Sequence, residues 1–260
     1  MTSSVRIFQP DRATPVEPYS HALTVMAKAP VPGGVKSRLI PPSRLARGGF
    51  AQSLLSPRHQ RLDRVAGIPL WCARIHRLHA GWIGISVRTF TGFIPQRGRD
   101  LGERLFHAAC DLLNAGYESV CLINSDSPTL PQSILAEAIT HLEKAGDRIV
   151  LGGSDDDGYY LIGLKHAHRR VFDDITWSTS AVFGQTLERA AEIGLEVVRL
   201  PSCYDVDDEA SLRRLAGELF GNDGVRSDLC GYDAPFTRGF LRGLIASGLA
   251  ERLGLGTKSE

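Results

Sequence analysis

Short apolar runs alternate with amphipathic stretches along most of the chain. Residues 22–27 (ALTVMA) form a compact apolar run of strand length, and 82–87 (WIGISV) form a second. Over Leu101–Ala115, the residues Leu101, Leu105, Ala108, Ala109, Leu112 and Leu113 recur at helical spacing, and Gly116 stands where a capping glycine would. Residues 119–124 (SVCLIN) read as a buried strand. Pro131 can open a helix running to about Lys144, with Ile134, Leu135, Ala138, Ile139 and Leu142 facing inward. Residues 148–151 are a strand again, 155–158 are turn-rich, and 159–164 (YYLIGL) return as a strand. Ser178 or Thr179 can cap a helix to Ile193, with Gly194 after it. Residues 195–200 (LEVVRL) make the next strand, and Asp207 or Asp208 can cap a last helix through Leu219.

Alternating strands and helices predict an α/β fold with a mostly parallel sheet and helices on both faces. Ligands in such sheets bind beyond the carboxyl ends of the strands. The unusual polar residues of this chain stand there: KAPVPGGVKSRL after 22–27, DSP after 119–124 and YDVDD after 195–200. No internal repeat or linker interrupts the pattern. One domain is therefore expected over 21–221, preceded by a flexible tail (1–20) and followed by a C-terminal extension (222–260).

Composition narrows the class. Of the 260 residues, 43% are apolar and 23% charged, which is ordinary globular usage. A net charge of +1 excludes a nucleic-acid binder driven by bulk charge, though a local basic patch stays open. The five cysteines are odd in number and form no C-x-x-C pair, so neither a disulfide framework nor a zinc knuckle fits, and a reducing cytoplasm does. No apolar run approaches the roughly 18 residues of a membrane span, and the polar first residues lack the apolar stretch of a signal peptide.

Four groups carry candidate chemistry. Lys28, Lys36 and Arg38 put cations on a loop where Pro30, Pro32, Gly33 and Gly34 forbid a helix, an arrangement suited to a diphosphate and equally open to being a solvated surface loop. Asp126 follows a buried strand, where it can hold a divalent cation or merely cap a turn before Pro128. Asp205 and Asp207 alternate around Val206 and can face one cation together, although Asp207 or Asp208 also suits a helix N-cap. Within QRGRDLGERL (96–105), Asp100 between Gly98 and Gly102 marks a helix start that favours a phosphate, or a plain cap. Trp177, Ser178 and Thr179 suit a pocket rim or a core tryptophan beside a cap. The eight histidines look scattered; His76 and His79 read as surface groups on one helical face.

Together these segments resemble a known family. MAKAPVPGGVKSRL, QRGRDLGERL, NSDSPTLP, SDDDGYYLIGL, DDITWSTSAVFGQTL and YDVDDEASLRRL are similar, in order, to six motifs of the bacterial glycosyltransferase-like family with a GT-A fold, known also as radical-SAM/selenodomain-associated or arsenosugar-biosynthesis transferases. The resemblance covers residues 22–47 and 96–215. It implies a Rossmann-like nucleotide-diphospho-sugar transferase fold that moves a sugar from a nucleotide-diphosphate sugar to a small acceptor. The related alternatives are a nucleotidyltransferase that uses a nucleoside triphosphate and releases pyrophosphate, and a non-catalytic nucleotide-binding protein. Carried over by position, Lys28, Gly33, Lys36 and Arg38 would meet the nucleotide phosphates, with Lys36, Arg38 and Asp126 closest to the chemistry. Gln96, Asp100 and Gly102 would seat the nucleotide. Asp126 and Asp207, with Asp205, would hold magnesium or manganese, and Gly158, Tyr159, Trp177 and Ser178 would line the sugar or acceptor side. Asp174 is a candidate base by position only. Neither a nucleic-acid partner nor a membrane span is implied.

The chain departs from the family pattern twice. Asp157 stands where the family usually has the first glycine of G-G-Y-Y. Residues 48–95 lack the expected long helix and second strand, and their RHQRLDRVAGIPLWCARIHRLH is dense in Arg and His. A divergent insertion, a basic patch for an acidic partner, or a stretch read in the wrong frame would each account for it, and the last is preferred.

Overall fold

The computed structural model describes residues 21–28, 71–79, 86–221 and 231–247. Their strands are β1 (His21–Lys28), β2 (Trp71–His79), β3 (Ser86–Pro95), β4 (Ser119–Ile123), β5 (Arg148–Ser154), β6 (Tyr159–Leu164) and β7 (Glu196–Cys203). They form a sheet in the order β3-β2-β1-β4-β6-β5-β7. The β1–β4 and β5–β7 pairs are parallel, while β6 runs antiparallel to both β4 and β5. Hence β1, β4, β5 and β7 point one way and β6 is reversed among them. β2 and β3 pair with each other antiparallel, through two register shifts.

The helices are α1 (Leu101–Asn114), α2 (Gln132–Glu143), α3 (Val182–Glu192), α4 (Glu209–Phe220) and α5 (Pro235–Ala246). The period-2 alternation of the central strands sorts the first three onto two faces. Val120 and Leu122 of β4, with Ile162 and Leu164 of β6, share one apolar cluster with Leu105, Ala108, Ala109 and Leu112 of α1 and Ala190 of α3. Gly163 lies between Ile162 and Leu164 and so faces the other way, where a Cβ would come 3.0 Å from Leu142 of α2. The expected α/β layering with helices on both faces is therefore present. Burial of these Leu, Ile and Val side chains supplies about 1.5–3 kcal/mol each against full exposure.

The chain divides into two compact units. Of the described residues, the first holds 21–27, 71–79, 86–125 and 132–203, and so carries the sheet. The second holds chiefly 126–131, 204–221 and 231–247. Thr129 organises it: its carbonyl accepts from Tyr232 N at 3.1 Å, and its hydroxyl donates to Glu218 at 2.9 Å. Glu218 also accepts from the Tyr204 hydroxyl at 2.8 Å, and the Arg214 guanidinium lies 3.9 Å over the Tyr204 ring.

Three local expectations need correction. The helix expected to start at Ser178 or Thr179 starts at Val182. Thr179 Oγ1 instead accepts from Ala181 N and donates to the Thr176 carbonyl, and Ser178 has a φ of 66°, so these hydroxyl residues close a turn. His76 lies in a strand, which removes the helical face assigned to it and His79. Residues 71–79 and 86–95 are paired strands. Arg and His occupy β2 at positions where an apolar alternation was sought, which is why periodicity missed it.

Candidate functional site

β3 delivers the first site residue. Gln96 follows Pro95, and its Nε2 donates to the carbonyl of Ala27 at 3.2 Å, fastening the exit of β3 to the end of β1. Lys28 ends β1; Gly33, Lys36 and Arg38 lie outside the described residues.

Asp100 caps α1. Its Oδ1 accepts from Glu103 N at 2.9 Å, which answers one of the orphan donors of the first turn. Gly102 lies under Trp177: a Cβ there would meet Cζ2 and Nε1 of the indole at 2.8 Å and the Phe172 carbonyl at 2.7 Å. Only glycine lets the helix start and the tryptophan approach this closely. Around them Arg99, Phe106, Arg169, Asp173 and Ile175 complete a cleft at the N-terminus of α1. Its charges are paired at the rim, where Arg99 binds Glu103 at 2.7 Å and holds that carboxyl down at about 2.

The β5–β6 turn presents Gly158 and Tyr159. A Cβ on Gly158 would meet Ser154 Oγ at 3.0 Å. Asp157 has a φ of 63°, the left-handed region where glycine is cheapest and where Asp is better tolerated than most residues. That accounts for the departure noted in the sequence, because a carboxylate residue occupies a backbone position that suits glycine. Tyr159 packs edge-on against Trp177, with ring centroids 6.3 Å apart. Its hydroxyl is buried without a hydrogen-bond partner, and burial pushes its pKa well above the usual phenol value. Such an orphan is costly and uncommon in a folded chain. Tyr160 differs: its hydroxyl donates to the Pro201 carbonyl at 2.7 Å.

The acidic residues lie in the second unit. Val206 N donates to the Asp126 carbonyl at 2.8 Å, and Ser127 Oγ donates to Asp205 Oδ1 at 2.6 Å. The loop after β4 is thus joined to the segment after β7. Val206 is buried, while Asp205 and Asp207 on either side are only half-buried. The cap of α4 is Asp208, which forms a reciprocal capping box with Ser211. Asp207 is therefore not used for the cap. Asp126, Asp205 and Asp207 carry the hard oxygen donors that magnesium or manganese prefers, but the three carboxylates do not gather within 4.8 Å of one another, so a cation here would rest on one or two of them with substrate oxygens completing the shell.

Asp174 is tied to Arg170 at 2.6 Å, which holds its carboxyl below the ordinary range. A base must take a proton near neutral pH, so this pairing argues against that role.

Sequence reasoning missed one cluster. Asp147, His166 and His168 bring three possible ligand atoms within 4.8 Å of one another, the one such group among the described residues. The signal was the H-x-H spacing just past a strand, passed over because its carboxylate partner is some twenty positions earlier in the chain.

The open sheet flanked by helices, with polar residues following its strand ends, defines a GT-A-like α/β fold. Residues 61–179 match the model of a family described as uncharacterized protein conserved in bacteria (DUF2064). That match takes in 61–95, which counts against a wrong reading frame there. The chain is also similar to a protein of known crystal structure from Desulfovibrio desulfuricans G20, provisionally assigned as a nucleotide-diphospho-sugar transferase. The two share 28% identity over 86% of this chain and 94% of that one, with a TM-score of 0.60. No protein of curated function matches the sequence. These likenesses support a transferase. No helix among the described residues is long and apolar enough to cross a membrane.

Proposed function

We propose that this protein transfers a sugar from a nucleotide-diphosphate sugar to a small acceptor, with a divalent cation at Asp126 and Asp207 and with Asp205 beside them. In this reading Lys28, Gly33, Lys36 and Arg38 receive the diphosphate, and Gln96, Asp100 and Gly102 seat the nucleotide. Gly158, Tyr159, Trp177 and Ser178 face the sugar or acceptor. The observation that carries the proposal is the likeness to the Desulfovibrio protein across most of both chains.

An oxygen of the acceptor bonds to the anomeric carbon as the bond from that carbon to the diphosphate oxygen breaks, and the acceptor's proton passes to the leaving diphosphate or to water. Charge then builds on the leaving diphosphate. A bound cation supplies Lewis-acid neutralisation of that charge. Lys36 and Arg38 hold the same oxygens and strengthen as the charge grows. The Trp177 indole and the Tyr159 ring offer an apolar wall for a sugar face.

The test is turnover of a panel of nucleotide sugars with manganese present, reading the released product. Release of a nucleoside diphosphate supports the proposal. Release of pyrophosphate from nucleoside triphosphates moves the chain to the nucleotidyltransferase reading. Nucleotide binding without turnover and without metal dependence leaves a binding protein.

A further inference from the structure

We propose that Asp147, His166 and His168 form a binding site for a late first-row divalent cation, with zinc as its probe, separate from the sugar-transfer site. His168 Nε2 lies 2.6 Å from Asp147 Oδ2, and His166 Nδ1 lies 3.1 Å from Asp147 Oδ1. The second approach lacks hydrogen-bond alignment, so Oδ1 is buried with no hydrogen-bond partner. A neutral pair of imidazoles and one carboxylate is a donor set that suits zinc. Tetrahedral ligands at about 2.0–2.1 Å from zinc lie roughly 3.3 Å apart, and the three ligand atoms here lie within 4.8 Å of one another, so small side-chain adjustments would admit an ion. Two nitrogens and one oxygen leave the fourth position to water.

The scaffold around the three ligands is already built. Lys165 Nζ bonds the carbonyls of Lys144 at 2.8 Å and Gly146 at 2.9 Å, clamping the loop that carries Asp147 to the segment that carries the histidines. Arg148 bonds the carbonyls of His141 in the last turn of α2 and of Ala145 in the same loop. His168 N donates to the His166 carbonyl at 3.1 Å, a turn that sets both imidazoles on one short stretch. The two nearby cations thus engage backbone oxygens rather than the Asp147 carboxylate.

Position separates this cluster from the donor side. Asp147 precedes the start of β5 and His166 follows the end of β6, whereas the Asp155–Gly158 turn joins the other ends of the same two strands. A strand of that length spans on the order of 20 Å. An ion here would cross-link the α2–β5 loop to the chain leaving β6, and would not reach the sugar.

Zinc is titrated into the full chain by calorimetry, with excess magnesium and a thiol reductant present. The comparison proteins are His166→Ala, the triple variant Asp147→Asn/His166→Ala/His168→Ala, and Asp126→Asn. One zinc per chain in the parent and in Asp126→Asn, weakened at least tenfold in His166→Ala, supports the site. Cobalt(II) should show the visible absorption of a tetrahedral ion in the parent and in Asp126→Asn, and not in the triple variant. Zinc should also raise the melting temperature of the parent and not of His166→Ala, whose side chain is exposed enough to be removed without unfolding the chain. Absence of zinc binding by the parent, or equal binding by His166→Ala, overturns the proposal.

Discussion

The indole of Trp177 occupies the space that a side chain at position 102 would need, within 2.8 Å of where its Cβ would stand. Gly102→Ala should therefore destabilise the chain by about 1–2 kcal/mol, overpacking outweighing the gain in helix propensity. Gly184→Ala is the control: it lies inside α3 with open space around it and should stabilise by about 0.5–1 kcal/mol. Urea midpoints of the two variants read the contrast, and equal shifts would refute the close approach.

Neighbouring tyrosines should respond differently to loss of a hydroxyl. Tyr160→Phe gives up a hydrogen bond to the Pro201 carbonyl and should cost about 1 kcal/mol. Tyr159→Phe removes an orphan hydroxyl, so its stability should be unchanged or slightly higher. Thermal melts of the two variants would check both halves.

At position 157 a left-handed backbone carries a carboxylate. Asp157→Gly should be neutral or stabilising by up to about 1 kcal/mol, and Asp157→Val should destabilise by more than that. If valine is accepted without loss, the positive φ is not a constraint there.

Asp208→Ala should cost about 1 kcal/mol through loss of the α4 cap. Asp207→Ala should cost less stability and more of any manganese-dependent thermal shift. Melting curves with and without manganese separate the two neighbours.

Acid should expose the Arg99–Glu103 pair. The Glu103 carboxyl is held at about 2, below its ordinary value, by the hydrogen bond from Arg99. Its contribution is present above about pH 4.3 and is lost as the pH falls through the folded value. The stability gap between the parent and Glu103→Gln should therefore close between about pH 4 and pH 2. A gap that widens on acidification would contradict the pairing.

Where local rules act alone, the elements were legible in advance. The α1 stripe and the run at 119–124 predicted α1 and β4 because their apolar spacing is set by the core they enter. Asp100 and Asp208 were readable as caps because capping is decided within four residues. Legibility failed where a distant partner decides. Ser178 and Thr179 look like helix starters, yet their hydroxyl chemistry closes a turn before α3. The His166–Asp147 approach depends on β5 and β6 lying side by side, which no short window reveals. The gathering of Asp126 with Val206 depends likewise on two loops about eighty positions apart, and strand ends hinted at it only through topology.

The reversal of β6 bears on how the chain reaches this state. β5 and β6 meet through a four-residue connection, so their pairing closes only a short loop. β1 and β4 start their pairing between residues 98 positions apart. Closing a longer loop costs more entropy, and local hairpins form on microsecond timescales. The middle of the sheet can therefore nucleate as a hairpin, onto which β7 and then β4 and β1 add. Pulse-labelled hydrogen exchange during refolding should find the amides of Val150 and Ile162 protected before those of Leu23 and Thr24.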